Sequence, residues 1–208
     1  MDEAALYDAR LELIDFVLDV FWDVPDESFL RTLLSGEIQT PEESVNPALD
    51  EGLERLERFV AGNDVVDLET IKHRLDAEYT RLFVGPRPPV LAHETYYRED
   101  TDYMGKGVAE VQASYSAAGW TPPDDYGEED DHVAVELAFL RHLVARQQAG
   151  AEEAYGYERV FIEQHLDEWV EAFVADVESE TDELLYLAGA KVLEGLVEFE
   201  EELAVQLS

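Results

Sequence analysis

The sequence has no cysteine among its 208 residues, only a few lysines, and no long apolar run. Without cysteine, the chain cannot form disulfides, thiolate zinc sites or cysteine nucleophiles. No stretch approaches the ~20 apolar residues that cross a bilayer. The first residues carry acids where a secretory signal would carry Lys or Arg. The sequence therefore predicts a cytoplasmic protein without stable membrane insertion.

Basic residues are scarce: 14 Lys and Arg stand against 50 Asp and Glu, which gives a formal net charge of -36. A nucleic-acid binder needs a basic face, so we expect no nucleic-acid partner, and binding to anionic lipid is disfavoured for the same reason. The acids are spread along the whole chain. This spread favours adaptation to a salty cytoplasm, where carboxylates keep a protein hydrated, over an acidic patch for one basic partner.

Apolar residues recur at helical spacing in eight segments, and no segment shows the period-2 pattern of a strand. The predicted helices cover about 4–21, 29–36, 48–60, 67–83, 103–118, 131–148, 154–177 and 182–203. Between residues 85 and 102, Pro86, Pro88 and Pro89 exclude a continuous helix. We predict one all-α domain, a bundle of about eight helices in two lobes (about 1–84 and 103–208) joined by a Pro-rich hinge loop. Such a hinge would allow either a monomer or a domain-swapped dimer.

Catalytic and metal-binding patterns are weak. Glu129 and His132 have the Glu-x-x-His spacing of di-metal bundles, but those bundles need two such motifs and two further carboxylates. Nucleophile elbows and phosphate-binding loops are missing, apart from a faint likeness at Gly105-Lys106-Gly107. We therefore predict no metal, no cofactor and no enzymatic activity. A helical metal- or nucleotide-dependent hydrolase is the least favoured alternative.

The start of the sixth predicted helix has two interpretations. In the simpler one, Asp131 caps the helix and His132 lies on its rim. In the other, the two residues form a polar pair at the mouth of a groove that binds a peptide.

Two other helices carry aromatic stripes. Phe161, His165, Trp169 and Phe173 follow one another at steps of four residues in the seventh predicted helix, a pattern typical of a core face with a hydrogen-bonded histidine. The fourth predicted helix ends with Tyr79, Leu82 and Phe83. Such a stripe is usually core, but its place beside the hinge allows partial exposure.

Four segments resemble, in order, the motifs of the TorD/DmsD chaperones. Residues 78–86, EYTRLFVGP, match E-Y-x-x-L-F-x-G-P, and residues 93–97, HETYY, resemble Y-E-S-x-Y. Residues 131–140, DHVAVELAFL, resemble D-H-x-x-x-E-L-x-F-M, and residues 161–173 resemble F-x-x-x-H-L-x-x-W-x-x-x-F. There are departures. Glu129 and Asp130 stand where the family has a proline, His93 replaces an aromatic residue, and Thr95 replaces a serine.

The resemblance implies a two-lobed helical fold and a cytoplasmic chaperone for molybdenum-cofactor oxidoreductases of the dimethyl-sulfoxide or trimethylamine-N-oxide reductase class. Such chaperones bind the twin-arginine leader and the apo form of the enzyme precursor, assist cofactor insertion and hold back export. By motif position, the leader-binding residues would be Tyr79, Leu82, Phe83, Asp131 and His132. Supporting roles would fall to Glu94, Tyr97, Glu136, His165 and Trp169. The alternative within the same class is a NarJ-type nitrate reductase assembly chaperone, which binds its apoenzyme without an exported leader.

A salt-adapted host changes what such a chaperone can use to hold a leader. In molar salt the screening length falls to ~3 Å, so long-range steering by the net charge disappears and only touching charges attract. We therefore predict that apolar contacts dominate leader affinity, in a cleft where the end of the fourth helix meets the start of the sixth.

Overall fold

Helices form nearly all the regular structure of the chain in a computed structural model that describes residues 3–36, 44–98, 105–123 and 126–206. The helices are α1 (Glu3–Phe21), α2 (Glu27–Ser35), α3 (Pro47–Ala61), α4 (Leu68–Tyr79), α5 (Glu94–Tyr97), α6 (Lys106–Ala117), α7 (Val133–Gln148), α8 (Glu153–Phe161), α9 (Asp167–Glu180) and α10 (Leu184–Gln206). The described residues contain no β-strand, and the eight predicted helices are all present, so the all-α prediction is confirmed.

Two predicted helices differ from a regular α-helix. The fourth continues from α4 into a π-helical turn at Thr80–Val84, and the seventh consists of α8, a second π turn at Ile162–Leu166, and α9. The predicted irregular hinge also contains the short helix α5, so that segment is not wholly irregular as expected. Residues 99–102 of the hinge, and the predicted start of the fifth helix at residue 103, lie outside the described residues.

Local chemistry explains where α2 and α3 begin. The Asp26 carboxylate accepts a hydrogen bond from the Phe29 N–H at 2.8 Å, and Asn46 caps α3 in the same way through Leu49. Pro47 follows Asn46 at the first helical position, where its missing N–H costs nothing. The Asn46 side chain also donates to the Gly195 carbonyl at 2.8 Å, which fixes the start of α3 against α10.

The longest helix, α10, lies at the centre of the packing. It contacts α3 along its length and also packs against α1 and α9, while α1 packs against α7. Buried apolar side chains from both predicted lobes belong to one hydrophobic cluster. The division into two lobes and the role of residues 85–102 as a hinge stay predictions from the sequence. No helix within the described ranges is long and apolar enough to cross a membrane.

A buried charge cluster joins four of these helices. Arg10 on α1 donates to Glu200 on α10, with Nε–Oε1 at 2.9 Å and Nη2–Oε2 at 2.6 Å, and to Gln147 on α7 at 3.0 Å. It also pairs with Glu158 on α8. Burial and the neighbouring Glu158 raise the pKa of Glu200 to about 8 against the opposing effect of Arg10. One cation therefore holds two buried carboxylates, and the charge of Glu158 favours the protonated form of Glu200.

Candidate functional site

The first motif ends in the π turn at 80–84, which the Gly85 N–H closes by donating to the Thr80 carbonyl at 2.8 Å. Tyr79 and Leu82 point into the core and are buried. Phe83 is half-buried, and its ring lies 5.1 Å from Tyr79 and 5.8 Å from Phe21 between ring centroids. The next residue, Val84, is 61% exposed. The turn therefore presents the edge of an aromatic cluster and one bare apolar side chain to solvent.

The second and third motifs meet at the start of α7. The Glu94 N–H donates to the Asp131 carbonyl at 3.0 Å, and the Val133 N–H donates to the Ala92 carbonyl at 2.8 Å. The buried Asp131 carboxylate accepts from Thr95 Oγ1 at 2.6 Å and lies 3.1 Å from His93 Nδ1. Burial alone would raise the pKa of Asp131, but the hydrogen bonds from His93 and Thr95 outweigh it and hold the pKa below its usual value. This carboxylate thus ties the Pro-rich segment to α7.

His132, and not Asp131, caps α7, so the simpler interpretation of this pair is wrong on the capping residue. His132 Nδ1 accepts a hydrogen bond from the Ala134 N–H at 3.1 Å, because the Asp131 carboxylate is engaged by the loop at residues 93–95. His132 is also buried and does not lie on a rim. Burial and the nearby His93 lower the pKa of His132 to about 3, so its ring is neutral.

The end of α1 joins the first motif to the third. Tyr79 Oη donates to the Phe21 carbonyl at 3.1 Å. The next carbonyl, that of Trp22, lies 3.1 Å from Tyr126 Oη, which in turn lies 3.0 Å from His132 Nδ1. The Trp22 and Tyr126 rings pack at 4.1 Å between centroids. The two segments assigned to leader binding are therefore connected through Phe21 and Trp22.

An acidic cavity of about 620 Å³ opens at the same end of α1. Its lining consists of Asp15, Leu18, Asp19, Trp22, Asp23, Val24 and Asp26. Burial, with the charges of Asp26 and Asp15, raises the pKa of Asp19. Sequence reasoning missed this cavity. The spacing of the aspartates along α1 was visible, but in a chain with 50 acids it could not be separated from the background.

All five residues with predicted supporting roles belong to one buried polar network or pack directly on it. His165 Nδ1 lies 2.9 Å from a Glu94 oxygen, and His165 Nε2 lies 3.0 Å from Ser114 Oγ. Trp169 Nε1 donates to Glu136 Oε2 at 3.2 Å. The ring of Tyr97 stacks on Trp169 at 5.6 Å between centroids. Glu136 also lies beside Glu94, so the second, third and fourth motifs meet here.

The surroundings of Glu136 in this network disfavour its charged form. Glu136 is completely buried, and its Oε1 has no hydrogen-bond donor among the described residues. Burial, with the neighbouring Glu94 carboxylate, raises the pKa of Glu136 well above its usual value. A proton on Glu136 gives the carboxyl an O–H that can donate to Glu94 and leaves Trp169 its acceptor. Its buried surroundings therefore favour the neutral form of Glu136 within this hydrogen-bond chain.

The residues assigned to leader binding differ in their exposure. Tyr79, Leu82, Asp131 and His132 are buried, and only Phe83 reaches the surface. Their role in binding a leader stays a prediction. Within the described ranges, no group of three or more His, Asp and Glu side chains is arranged to hold a metal ion. The lone Glu-x-x-His at Glu129 and His132 ends at a histidine whose Nδ1 serves the helix cap.

Comparisons with known proteins place the chain in a family. The family model described as nitrate reductase delta subunit matches residues 42–175. Proteins named Chaperone protein TorD are similar to this chain over most of its length. The one from Vibrio parahaemolyticus is 28% identical over 189 residues, or 88% of this chain and 82% of the relative. The one from Vibrio atlanticus is 30% identical over 172 residues, or 78% and 73%.

A third relative, from Vibrio cholerae, also carries the name Chaperone protein TorD. It is 29% identical over 150 residues, which are 69% of this chain and 64% of the relative. The relatives are named chaperones and their family is not a catalytic one, which confirms the expectation that the chain is not an enzyme. The four motifs, the helical fold and these matches agree: the chain belongs to the TorD/DmsD family of redox enzyme maturation chaperones.

Proposed function

We propose that this chain is a cytoplasmic chaperone that binds the twin-arginine leader and the apo form of a molybdenum-cofactor oxidoreductase of the dimethyl-sulfoxide or trimethylamine-N-oxide reductase class. It assists cofactor insertion and holds back export until the enzyme is complete. The observation that carries the proposal is the meeting of the two leader-binding motifs at the end of α1, beside an acidic cavity and a half-buried Phe83. Family membership supports the chaperone role.

The two parts of a leader match two neighbouring surfaces. The apolar stretch packs on Phe83 and Val84, whose orientation Tyr79 and Leu82 fix from inside the core. The arginines enter the cavity at the end of α1, where aspartates accept guanidinium N–H groups and the Trp22 ring offers a face for stacking. Asp131 and His132 hold the loop and the start of α7 in place, so their contribution is to shape the site.

Salt decides which of these contacts matters more. The net charge of -36 fits a protein adapted to a salty cytoplasm. There the arginines gain only from carboxylates that they touch, because the screening length is ~3 Å at 1 M. Burial of the apolar stretch does not depend on that screening and is strengthened by salts that are excluded from protein surfaces. Phe83 therefore contributes more to affinity than the acidic cavity does.

The test is a titration of a synthetic twin-arginine leader peptide, followed by fluorescence anisotropy at low and at molar KCl. We expect Phe83→Ala to weaken binding by about tenfold or more, equivalent to ~1.4 kcal/mol. The matched control is Val66→Ala, because Val66 is 86% exposed outside the site. Far-UV circular dichroism at every salt concentration verifies folding, since a chain this acidic can unfold at low salt from self-repulsion.

Two results would contradict the proposal. A collapse of affinity as KCl rises, with no effect of Phe83→Ala, would show that charge and not apolar contact holds the leader. Equal effects of Phe83→Ala and Val66→Ala would place the leader elsewhere on the molecule.

A NarJ-type nitrate reductase assembly chaperone is the second candidate, because the matching family model is described as nitrate reductase delta subunit. Affinity capture from native cytoplasm at high salt separates the two. Capture of a precursor that carries a twin-arginine leader supports the first function. Capture of a nitrate reductase subunit without an exported leader supports the second.

A further inference from the structure

A second groove, of about 860 Å³, lies between α6 and the segment formed by α8 and the π turn at 162–166. None of the five residues assigned to leader binding lines it. Ala113 and Ala117 form the α6 side of its floor, and Gly156 lies on the α8 side. A Cβ placed on Gly156 would meet no atom within 4 Å, so the space above this glycine is open. Among the described residues, no third helix lies between these two helix faces.

The walls of the groove combine apolar and acidic groups with one basic residue, Arg98, whose guanidinium pairs with the buried Glu94. Tyr157 and Val160 lie one turn apart on α8 and are 37% and 38% exposed, in a chain that exposes few large apolar side chains among its described residues. Glu163 and Glu168 follow on the same wall and are exposed. Neither has a basic side chain within 4.0 Å in the part of the chain that the structure describes. The groove thus offers an apolar strip with free negative charge along one edge.

The base of the groove is rigid. His165, which is buried, joins Ser114 on α6 to Glu94 through its two ring nitrogens, at 3.0 and 2.9 Å. The Gln164 carbonyl, in the π turn, accepts a hydrogen bond from Arg98 Nη1 at 3.0 Å. A partner therefore meets a preformed surface, which lowers the entropy cost of binding.

The shape selects the kind of partner. A helix about 10 Å across rises 5.4 Å per turn, so it fills roughly 400 Å³ per turn, and the groove has room for roughly two turns. Small residues at Ala113, Ala117 and Gly156 allow a helix backbone to approach closely. An apolar face on that helix would cover Tyr157 and Val160, and basic residues at its edge would meet Glu163 and Glu168.

We propose that this groove docks a basic amphipathic helix of a partner polypeptide, separately from any leader peptide. The inference does not depend on the leader-binding proposal, because the two surfaces share no residue. A chaperone with both surfaces could hold a client at its leader and at a helix in its body at the same time, and the second contact would act at a raised effective concentration.

The test uses a synthetic amphipathic helix of about four turns, with Ala and Leu on one face and Arg on the other, in 1 M KCl to suppress diffuse attraction. Fluorescence anisotropy measures its binding to the full chain. We expect saturable 1:1 binding that Gly156→Gln and Ala113→Gln each weaken by tenfold or more, because both fill the groove without changing the charge. The matched control is Ala61→Gln, at an exposed site at the end of α3.

Charge is tested in the same way. The double variant Glu163→Lys/Glu168→Lys should weaken binding by tenfold or more, and Glu54→Lys/Glu57→Lys, on exposed sites of α3, should not. A saturating twin-arginine leader should not displace the helix, and Phe83→Ala should leave helix binding unchanged. Circular dichroism verifies the fold of each variant.

Three results would overturn the inference. The first is that the helix does not bind the wild type. The second is that Glu163→Lys/Glu168→Lys and Glu54→Lys/Glu57→Lys lose equal affinity for the helix. The third is that neither glutamine variant in the groove changes this affinity. Loss of leader binding alone would leave the groove proposal intact, and loss of helix binding alone would leave the leader proposal intact.

Discussion

Replacement of Glu136 by glutamine should remove a specific part of the pH dependence of folding. Glu136 is completely buried beside Glu94, and its pKa is raised well above its usual value, first by burial and then by the Glu94 charge. A group whose folded pKa is raised stabilises the protein fully below its unfolded pKa, and this contribution is lost as pH rises through the folded pKa. The native state therefore holds one more proton on this residue than the unfolded state does over that window.

The magnitude follows from linkage. One extra native proton gives a slope of about -1.4 kcal/mol per pH unit in the free energy of unfolding, from just above the normal glutamate pKa up to the raised value. The substituted glutamine side chain would be neutral at every pH, keep an acceptor for Trp169 Nε1 and donate to Glu94 through its amide. We expect the variant to lie within about 1 kcal/mol of the wild type at low pH, as for exchange of one satisfied hydrogen bond for another.

The assay is urea unfolding followed by tryptophan fluorescence, at half-unit steps from pH 5 to 8 in constant molar KCl. Between the ordinary glutamate pKa and the raised folded pKa, the difference in unfolding free energy between variant and wild type should grow by about 1.4 kcal/mol per pH unit in favour of the variant, and above the folded pKa it should level off. Glu163→Gln, at an exposed site, is the matched control and should leave the wild-type slope unchanged. Parallel curves for Glu136→Gln and wild type would refute the reasoning, because they would show that Glu136 is ionised in the folded protein.

Two further predictions concern stability and are measured by chemical unfolding at high salt. Arg10→Met should lower the free energy of unfolding by about 3–5 kcal/mol, because it leaves two buried carboxylates without their cation. Arg141→Met removes an exposed ion pair and should lower it by at most ~1 kcal/mol. Equal losses in the two variants would contradict this prediction. Gly195→Ala should destabilise the α3–α10 contact, since its Cβ would lie under 3.0 Å from Leu49. Gly156→Ala should raise the free energy of unfolding by ~1 kcal/mol, because alanine favours the helix more than glycine does. A lower free energy of unfolding would mean that the added methyl group clashes, which would contradict an open groove.

The candidate site was only partly readable from the sequence. The four motif segments pointed to the residues that meet in space: Glu94, Glu136, His165 and Trp169 come together as one network. The sequence could not show that His132, and not Asp131, caps α7, because that choice depends on Thr95 and His93 arriving from another segment. The exposure of the motif side chains could not be predicted either, because the motif gives no sign that Leu82 is buried while Phe83 is half-buried.

Apart from the short α5, the helices and their approximate ends were determined by the sequence alone, because apolar periodicity, caps and prolines act within a few residues of the chain. Only the tertiary structure decided the π turns at 80–84 and 162–166, the buried cluster around Arg10 and the groove beside Gly156. Arg10 meets Glu200 across 190 residues of chain, and no local pattern encodes such a partner. An apolar stripe predicts that one face of a helix is buried. It does not predict which other helix covers that face, or where a groove stays open between two helices, because both depend on how all the helices pack together.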